Sequence, residues 1–351
     1  MNKTCIFCGL TPENKNREHV LPKWLLELTG NPKRTVKIGF DWSSRKELSF
    51  SFDSLVFPSC KSCNDKYSLL EEKAKVIVIK ILQYDYLDTE DITILLDWFD
   101  KVRTGLWIGY QYLSKNALGV DPKFYIDQRI RTKDRLILIN DFNNENVGLT
   151  LIGVNTPFFH WYPTCFGLII NNKIFTNAST DFLVSHNLGL PFPKIGYVSS
   201  EHRMTEFEML GGRHKLNKRI FRFNFLRPYT ILGQAIATPD FIDSNSNHYS
   251  NEYVHNYWQN GEKGLGKIFC ETNGNLEWLD EDDEVQVDLR PFIKEGKLRV
   301  DIQTLKLQNF VFDNFNVSGE RLIPEQQENY KNYSKLLKEF NRKTLAILHL
   351  Q

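Results

Sequence analysis

Two pairs of cysteines are the residues of this chain with the clearest capacity for chemistry. Each pair has the spacing Cys-x2-Cys, and the four residues are Cys5, Cys8, Cys60 and Cys63. Zinc binds four thiolates in a tetrahedron, and one Cys-x2-Cys turn supplies two of them. The chain starts without the apolar segment of a secretory signal, so we expect reduced thiols that bind metal rather than disulfides. The spacing therefore predicts a structural Zn²⁺ ion.

An acidic residue and a histidine lie between the two cysteine pairs. They are Glu18 and His19, and Asn64 follows directly after Cys63, the last of these four cysteines. Hydrolysis of a phosphodiester needs a general base, an electrophile and a rigid frame. A histidine, a divalent cation on carboxylate and amide oxygens, and the zinc cluster would supply one of each. The alternative is a zinc knuckle that binds nucleic acid or protein without cutting, with His19 structural and Glu18 a surface charge.

Taken in order, these motifs resemble the zinc-containing branch of the HNH endonucleases. The order is Cys-x2-Cys at 5–8, Glu-His-Val-Leu-Pro at 18–22 and Cys-x2-Cys-Asn at 60–64. The run 63–72 also resembles the helix of those proteins, and the resemblance covers about residues 1–84. It implies a ββα-metal module built around the acid–histidine pair. It also implies a metal-dependent endonuclease, with DNA as the expected substrate.

The resemblance implies a role for each matching residue. His19 is expected to be the general base for the attacking water, because a neutral imidazole predominates at pH 7. Glu18 and Asn64 are expected to ligate a catalytic Mg²⁺ or Mn²⁺ ion, which stabilises the charge on the phosphate and the leaving oxygen. Asn64 stands where the family motif has its final histidine. Either Asp53 or Ser54 is expected to be the family's middle polar residue.

Local patterns predict the elements that hold these side chains within residues 1–84. Apolar residues alternate with polar ones over 36–40 and 48–52, which predicts a β-hairpin. After the second cysteine pair the apolar spacing becomes helical over 70–81. Adjacent residues on a regular strand point to opposite faces. Glu18 and His19 are therefore expected to lie at a distorted strand end if both act on one phosphate.

The remaining residues are predicted to form a helical connector over 85–120 and a larger domain over 121–351. Predicted strands in the larger domain cover 135–139, 148–152, 166–170, 173–175, 285–289 and 298–302. A long loop is expected over 240–265 and a final helix over 324–349. The predicted fold class is therefore α+β, a zinc-bound ββα-metal module followed by a mixed α/β domain with mainly antiparallel strands.

Charge and composition indicate the partners. Residues 1–84 carry 14 Lys and Arg against 9 Asp and Glu, a net charge of +5, and the rest carries 30 against 34, a net charge of −4. A basic front segment favours contact with a phosphate backbone. We therefore expect nucleic acid, preferably DNA, as the partner of residues 1–84. The larger domain is expected to bind a companion protein or a regulatory ligand.

Other features of the sequence are expected to be structural. No apolar run approaches the ~20 residues that span a bilayer, so we expect a cytoplasmic protein without membrane contact.

The basic and aromatic segment 213–227 either contacts nucleic acid or forms a strand with its Phe residues inward, and the strand is favoured. The acidic run 280–284 is interpreted as a solvated turn, and His160, His248 and His255 as core or surface histidines.

Overall fold

The computed structural model describes most of the chain. It describes residues 4–41, 46–113, 122, 124–141, 148–161, 163–180, 183–190, 192–198, 205–211, 216–221, 230–236, 266–287, 296–315 and 324–348. The predicted loop 240–265, His248, His255 and most of the segment 213–227 lie outside these ranges. Within them, none of the helices combines the length and the apolar composition needed to cross a bilayer.

The front of the chain forms two pairs of strands and two helices. In order, these elements are β1 (Asn16–His19), α1 (Lys23–Leu28), β2 (Thr35–Asp41), β3 (Lys46–Ser51), β4 (Val56–Ser59) and α2 (Lys61–Gln83). β2 pairs with β3 in antiparallel orientation, which confirms the predicted hairpin. β1 pairs with β4 in the same way, so the chain returns beside its start just before α2. The helix predicted after the second cysteine pair is confirmed as α2.

The helix predicted over 85–120 is a core element. A short strand, β5 (Tyr86–Asp88), leads into α3 (Thr89–Leu113). Asp88 caps the start of α3, because its carboxylate accepts a hydrogen bond of 2.7 Å from the backbone N–H of Asp91. Every residue from Leu95 to Gln111 is buried, whereas a surface helix buries a single stripe. α3 therefore lies inside the described part of the protein and contacts other elements on all sides.

One face of α3 packs against the front segment and another packs against the large sheet. A Cβ added to Gly109 would lie 2.6 Å from the Phe57 ring, so glycine permits the close approach of β4. On the other side, the ring centroids of Phe99 and Phe175 are 5.6 Å apart. A single hydrophobic cluster includes residues from both sides. The domain boundaries near residues 84 and 120 stay predictions.

The large sheet has seven antiparallel strands in the order β14-β13-β12-β6-β9-β8-β7. The strands and short helices of this region are β6 (Asp134–Asp141), β7 (Leu149–Ile152), α4 (Pro157–Trp161), β8 (Cys165–Ile170), β9 (Lys173–Thr180), α5 (Leu183–Leu188), β10 (Phe192–Val198), β11 (Thr205–Gly211), β12 (Thr230–Gln234), β13 (Ile268–Thr272), β14 (Asn275–Trp278) and β15 (Glu284–Gln286). β10 pairs with β11, and β15 pairs with β5. The described residues thus form a mixed α/β fold with mostly antiparallel sheets.

The strand predicted over 298–302 is wrong. Those residues lie in α6 (Gly296–Phe315), which is followed by α7 (Pro324–Leu348), the predicted final helix. Alternation over five residues fits a strand and a helix equally well. Val300, Leu307 and Val311 are buried on α6, and the helix packs on β8 and β9, so tertiary packing decides between the two. The strand predicted at 285–289 is present as β15, which covers Glu284–Gln286.

Two charged segments of the sequence have structural roles where the structure describes them. In the acidic run, the backbone N–H of Asp283 donates to the carbonyl of Asp280 at 3.1 Å, which closes an exposed turn before β15. Of the basic segment, residues 216–221 are described, and Ile220 and Phe221 are buried. The solvated turn is therefore confirmed, and inward packing is confirmed for Phe221 alone.

His160 is a core histidine, as expected. Its side chain is buried and stacks on Tyr110 with 3.6 Å between the ring centroids. Neither ring nitrogen has a hydrogen-bond partner among the residues in the described ranges. Burial therefore lowers the pKa of His160 to about 3, and the imidazole is neutral in the folded protein at neutral pH.

This buried imidazole is expected to make the protein sensitive to mild acid. The unfolded chain binds a proton below pH 6.5, whereas the folded chain does not until about pH 3, so stability falls as pH decreases through that window. At pH 5 the loss from this group is about 2 kcal/mol. We expect His160→Phe, which keeps an aromatic ring on Tyr110, to remove that part of the pH dependence. Denaturant unfolding of both proteins at pH 8 and pH 5 measures it, and equal losses would contradict the assignment.

Candidate metal centre and strand–helix site

The four cysteines predicted to bind metal form one compact cluster. The sulfur atoms of Cys5, Cys8, Cys60 and Cys63 all lie within 4.8 Å of one another. The sulfur atoms of Cys8 and Cys60 are 3.9 Å apart. A tetrahedral ion with metal–sulfur bonds of about 2.3 Å places its ligands about 3.8 Å apart. The spacing of these thiols is therefore that of a tetrahedral site, and the cluster could hold a metal ion such as zinc.

Backbone hydrogen bonds join the two cysteine turns. The backbone N–H of Ile6 donates to the carbonyl of Pro58 at 2.9 Å, and the N–H of Cys60 donates to the sulfur of Cys5 at 3.3 Å. The first turn closes at Gly9, whose φ of +79° favours glycine. A Cβ at Gly9 would lie 2.3 Å from the Tyr125 ring, so the space also requires glycine. The cluster therefore connects the start of the chain to the end of β4.

The thiols influence the ionisation of one another. Burial and the nearby Cys5 raise the pKa of Cys63 far above its usual value, and burial also raises the pKa of Cys8. The pKa of Cys5 is lowered, because backbone hydrogen bonds, those from Cys8 and Cys60 first, outweigh its burial. Several thiolates in one small volume repel one another unless a cation lies between them. The electrostatics of the cluster thus favour a bound divalent metal.

Glu18 and His19 lie on opposite faces of β1. The strand pairs with β4 without a register shift, placing Glu18 opposite Phe57 and His19 opposite Val56. The Glu18 side chain points inward and is 6% exposed, whereas His19 is half-buried. β1 ends at His19, and the chain bends at the next residues, Val20 and Leu21. The structure thus brings His19 to a strand end but does not direct both side chains to one side.

Asn64 lies in the first turn of α2, directly after the cysteine cluster. Its backbone N–H donates to the carbonyl of Cys60 at 3.0 Å, which fixes the residue relative to the metal ligands. Its side-chain oxygen Oδ1 is buried and accepts no hydrogen bond from any residue that the structure describes. A buried amide oxygen without a donor is unusual, because desolvation without a partner costs free energy. This oxygen is therefore suited to bind a cation.

A buried lysine neutralises Glu18. Lys101 of α3 is 1% exposed on its side chain, and its Nζ donates to Oε1 of Glu18 at 2.5 Å and also to Oε1 of Glu71. Glu71 lies on α2, two turns after Asn64. Burial, and then the neighbouring Glu18, raises the pKa of Glu71 to about 7 in spite of the lysine. The acid of the acid–histidine pair thus belongs to a three-residue charge cluster.

Lys101 and Glu71 are not among the site residues predicted from the sequence. The signal that could have indicated them is a group of charged residues within an otherwise apolar helix, namely Asp97, Asp100, Lys101 and Arg103. All four are buried, and the first two accept hydrogen bonds from Arg135 of β6. Buried charges require partners, so such residues predict ion pairs with other elements. The partners of Lys101, which are Glu18 and Glu71, are however distant in the chain.

Both candidates for the family's middle polar residue lie at the same place in the structure. Asp53 and Ser54 lie in a single 3₁₀ turn that follows β3. Ser51 donates a hydrogen bond to Asp53, and Ser54 donates to the backbone carbonyl of Ser51 at 2.6 Å. Both residues therefore stabilise the same turn.

Comparison with known proteins adds no family to these observations. No protein-family model, no curated protein and no solved structure matches this chain.

Proposed function

We propose that this protein is a metal-dependent endonuclease of the HNH type. It holds Zn²⁺ in the cysteine cluster and Mg²⁺ or Mn²⁺ at Glu18 and Asn64. The observation that carries the proposal is the course of the chain around the cluster. β1 and β4 form an antiparallel pair, and the chain passes from β4 through Cys60 into α2. Strand, strand and helix in this order are what the ββα-metal module of that family requires.

The residues available to the catalytic cation are oxygen donors. The unpaired Oδ1 of Asn64 provides one ligand. The Glu18 carboxylate has about four lone-pair positions, and the hydrogen bond from Lys101 uses one of them. Mg²⁺ and Mn²⁺ prefer oxygen ligands and keep several waters, so one amide and one carboxylate suffice on the protein side. These donors fit the proposed ion better than they fit a soft metal.

His19 performs the proton transfer in the proposed reaction. Its half-buried imidazole lies at the end of β1 and takes the proton of the water that attacks phosphorus. Arg17 lies two residues earlier on the same face of the strand and is exposed, so it can contact a neighbouring phosphate. A bound divalent cation supplies positive charge to the phosphate and to the leaving 3′ oxygen. The zinc cluster keeps β1 and α2 in place during the reaction.

One observation favours a second candidate, a zinc module that binds nucleic acid or protein without cutting. Glu18 points inward to Lys101, away from the face that carries His19. If the carboxylate never leaves this environment, it cannot share a cation with a phosphate at His19. The two candidates differ in one result, which is cleavage that depends on a divalent cation.

A cleavage assay with Asn64 variants tests the proposal. Purified protein is incubated with supercoiled DNA, single-stranded DNA and RNA in Mg²⁺ or Mn²⁺, and EDTA is added to stop the reaction. We expect cation-dependent cleavage, with DNA as the preferred substrate. Asn64→Ala is expected to raise the cation concentration for half-maximal rate by at least about 10-fold, because one of two protein ligands is lost.

Ser68→Ala is the matched control for this assay. Ser68 lies one turn further along α2, is exposed, and donates its hydroxyl to the carbonyl of Asp65 at 2.8 Å. This variant is expected to keep the wild-type cation dependence. A wild-type protein that binds DNA but cleaves no substrate with either cation would exclude the endonuclease and support the zinc module.

The remainder of the chain suggests how this activity is regulated and which biological role it serves. We propose that the large sheet and its helices bind a companion protein or a regulatory ligand in the cytoplasm. A nuclease module joined to such a domain is the plan of an antiphage effector or a mobile-element enzyme, and this assignment rests on analogy.

A further inference from the structure

We propose that Lys101 is a positioning residue of the catalytic cation site, so that α3 is a working part of the nuclease. The inference rests on the proposed function and extends it beyond residues 1–84. The ammonium group of Lys101, on α3, lies 2.5 Å from the Glu18 carboxylate of β1. Its second partner, Glu71, lies on the helix that carries Asn64. The ammonium group of Lys101 therefore connects β1 and α2, which are the two elements that supply the proposed ligands.

The burial of Lys101 indicates that its positive charge is needed to hold its carboxylate partners. A buried ammonium group carries a large desolvation penalty, which only well-placed partners offset. Lys101 lies in the buried part of α3, with the Phe7 ring centroid 5.9 Å from its Nζ. Its carboxylate partners come from two other elements. The lysine thus fixes the relative position of β1, α2 and α3 at one point.

The hydrogen bond from Lys101 restricts the rotamer of the Glu18 side chain, because the ammonium group binds one of the two carboxylate oxygens, Oε1. Partners of this kind behind a ligating carboxylate typically change metal affinity or activity by about 10–100-fold when removed.

The test compares Mn²⁺ binding and cleavage in zinc-loaded full-length variants. We expect Lys101→Met to weaken Mn²⁺ binding, measured by calorimetry, by about 10-fold or more. The Mn²⁺ concentration for half-maximal cleavage shifts equally, and the rate at saturating Mn²⁺ recovers to near wild type. Lys75→Met, which removes an exposed lysine from α2, is the matched control and is expected to leave both values unchanged. Unchanged Mn²⁺ affinity in Lys101→Met, or a rate loss that saturating Mn²⁺ does not restore, would overturn the inference.

A charge-balanced pair of variants covers the case in which Lys101→Met loses zinc or unfolds. Lys101→Met combined with Glu71→Gln removes one charge of each sign and is compared with Glu71→Gln alone. A similar weakening of Mn²⁺ binding supports the positioning role, and equal affinities overturn it. The two proposals fail separately. A wild-type protein that neither binds Mn²⁺ nor cleaves DNA refutes the proposed function, whereas an active wild type with indifferent Lys101 variants refutes only this inference.

Discussion

Replacing His19 with alanine is expected to abolish most of the DNA cleavage while the protein remains folded. A general base contributes about 10²–10⁴-fold to a hydrolytic rate, so we expect a loss of at least about 100-fold. The imidazole is half-buried at the end of β1, and no hydrogen bond joins it to another residue within the part of the chain that the structure describes. Its removal therefore costs little stability. Single-turnover cleavage at saturating Mn²⁺ measures the effect.

Control measurements distinguish a loss of catalysis in this variant from a loss of the folded state. His19→Ala is expected to keep its zinc content, its thermal midpoint and its affinity for DNA. His186→Ala removes a histidine on α5, outside the cluster and the β1–β4 pair, and is expected to cleave at the wild-type rate. A His19→Ala protein that keeps zinc and cleaves as fast as the wild type would refute the assigned base.

Removing a zinc ligand is expected to have the largest effect on stability. Structural zinc sites contribute roughly 10–16 kcal/mol of apparent binding free energy in small domains. A whole protein is stable by only about 5–15 kcal/mol. Cys63 lies in the first turn of α2 and shares its cluster with Cys60 at the end of β4, so its loss releases the helix that carries Asn64 and Glu71. We expect Cys63→Ser to lose the zinc, to unfold at a much lower temperature and to lose cleavage.

Metal analysis and thermal unfolding measure the zinc prediction. Cys270→Ser is the control, because the sulfur of Cys270 is 3.5 Å from the hydroxyl of Thr272, which can pair with a serine. This variant is expected to keep its zinc. Prolonged exposure of the wild type to a strong chelator should reproduce the instability of Cys63→Ser. Full zinc content in Cys63→Ser would show that the cluster binds no metal through that thiol.

Local sequence patterns predicted much of the fold near the site. The hairpin of β2 and β3, helices α2 and α3 and the hairpin of β8 and β9 all follow from periodicity and turn residues, which act over a few positions. The strand predicted at 298–302 was wrong because five alternating residues suit either period. Packing of α6 on the sheet, which depends on distant residues, decided its conformation.

The environment of Glu18 shows why the site was harder to predict than the fold. The sequence places Glu18 beside a histidine and between two cysteine pairs, which predicted either a ligand of the catalytic cation or a surface charge. The structure places its carboxylate inward, on a lysine from a helix outside residues 1–84. An ion pair between residues 18 and 101 leaves no local pattern, because neither spacing nor periodicity encodes which distant charge will meet a buried acid.

The amino-acid sequence by itself determined the four thiols that could hold a metal, the position of Asn64 beside them and the helix that begins there. These features depend on spacing along a short stretch of chain and on the geometry of a tetrahedral ion. Only the tertiary structure decided that Glu18 and His19 diverge, that residues 95–111 of α3 are all buried and that Lys101 joins Glu18 to Glu71. Those facts depend on which elements pack together, and long-range burial of charge determines them.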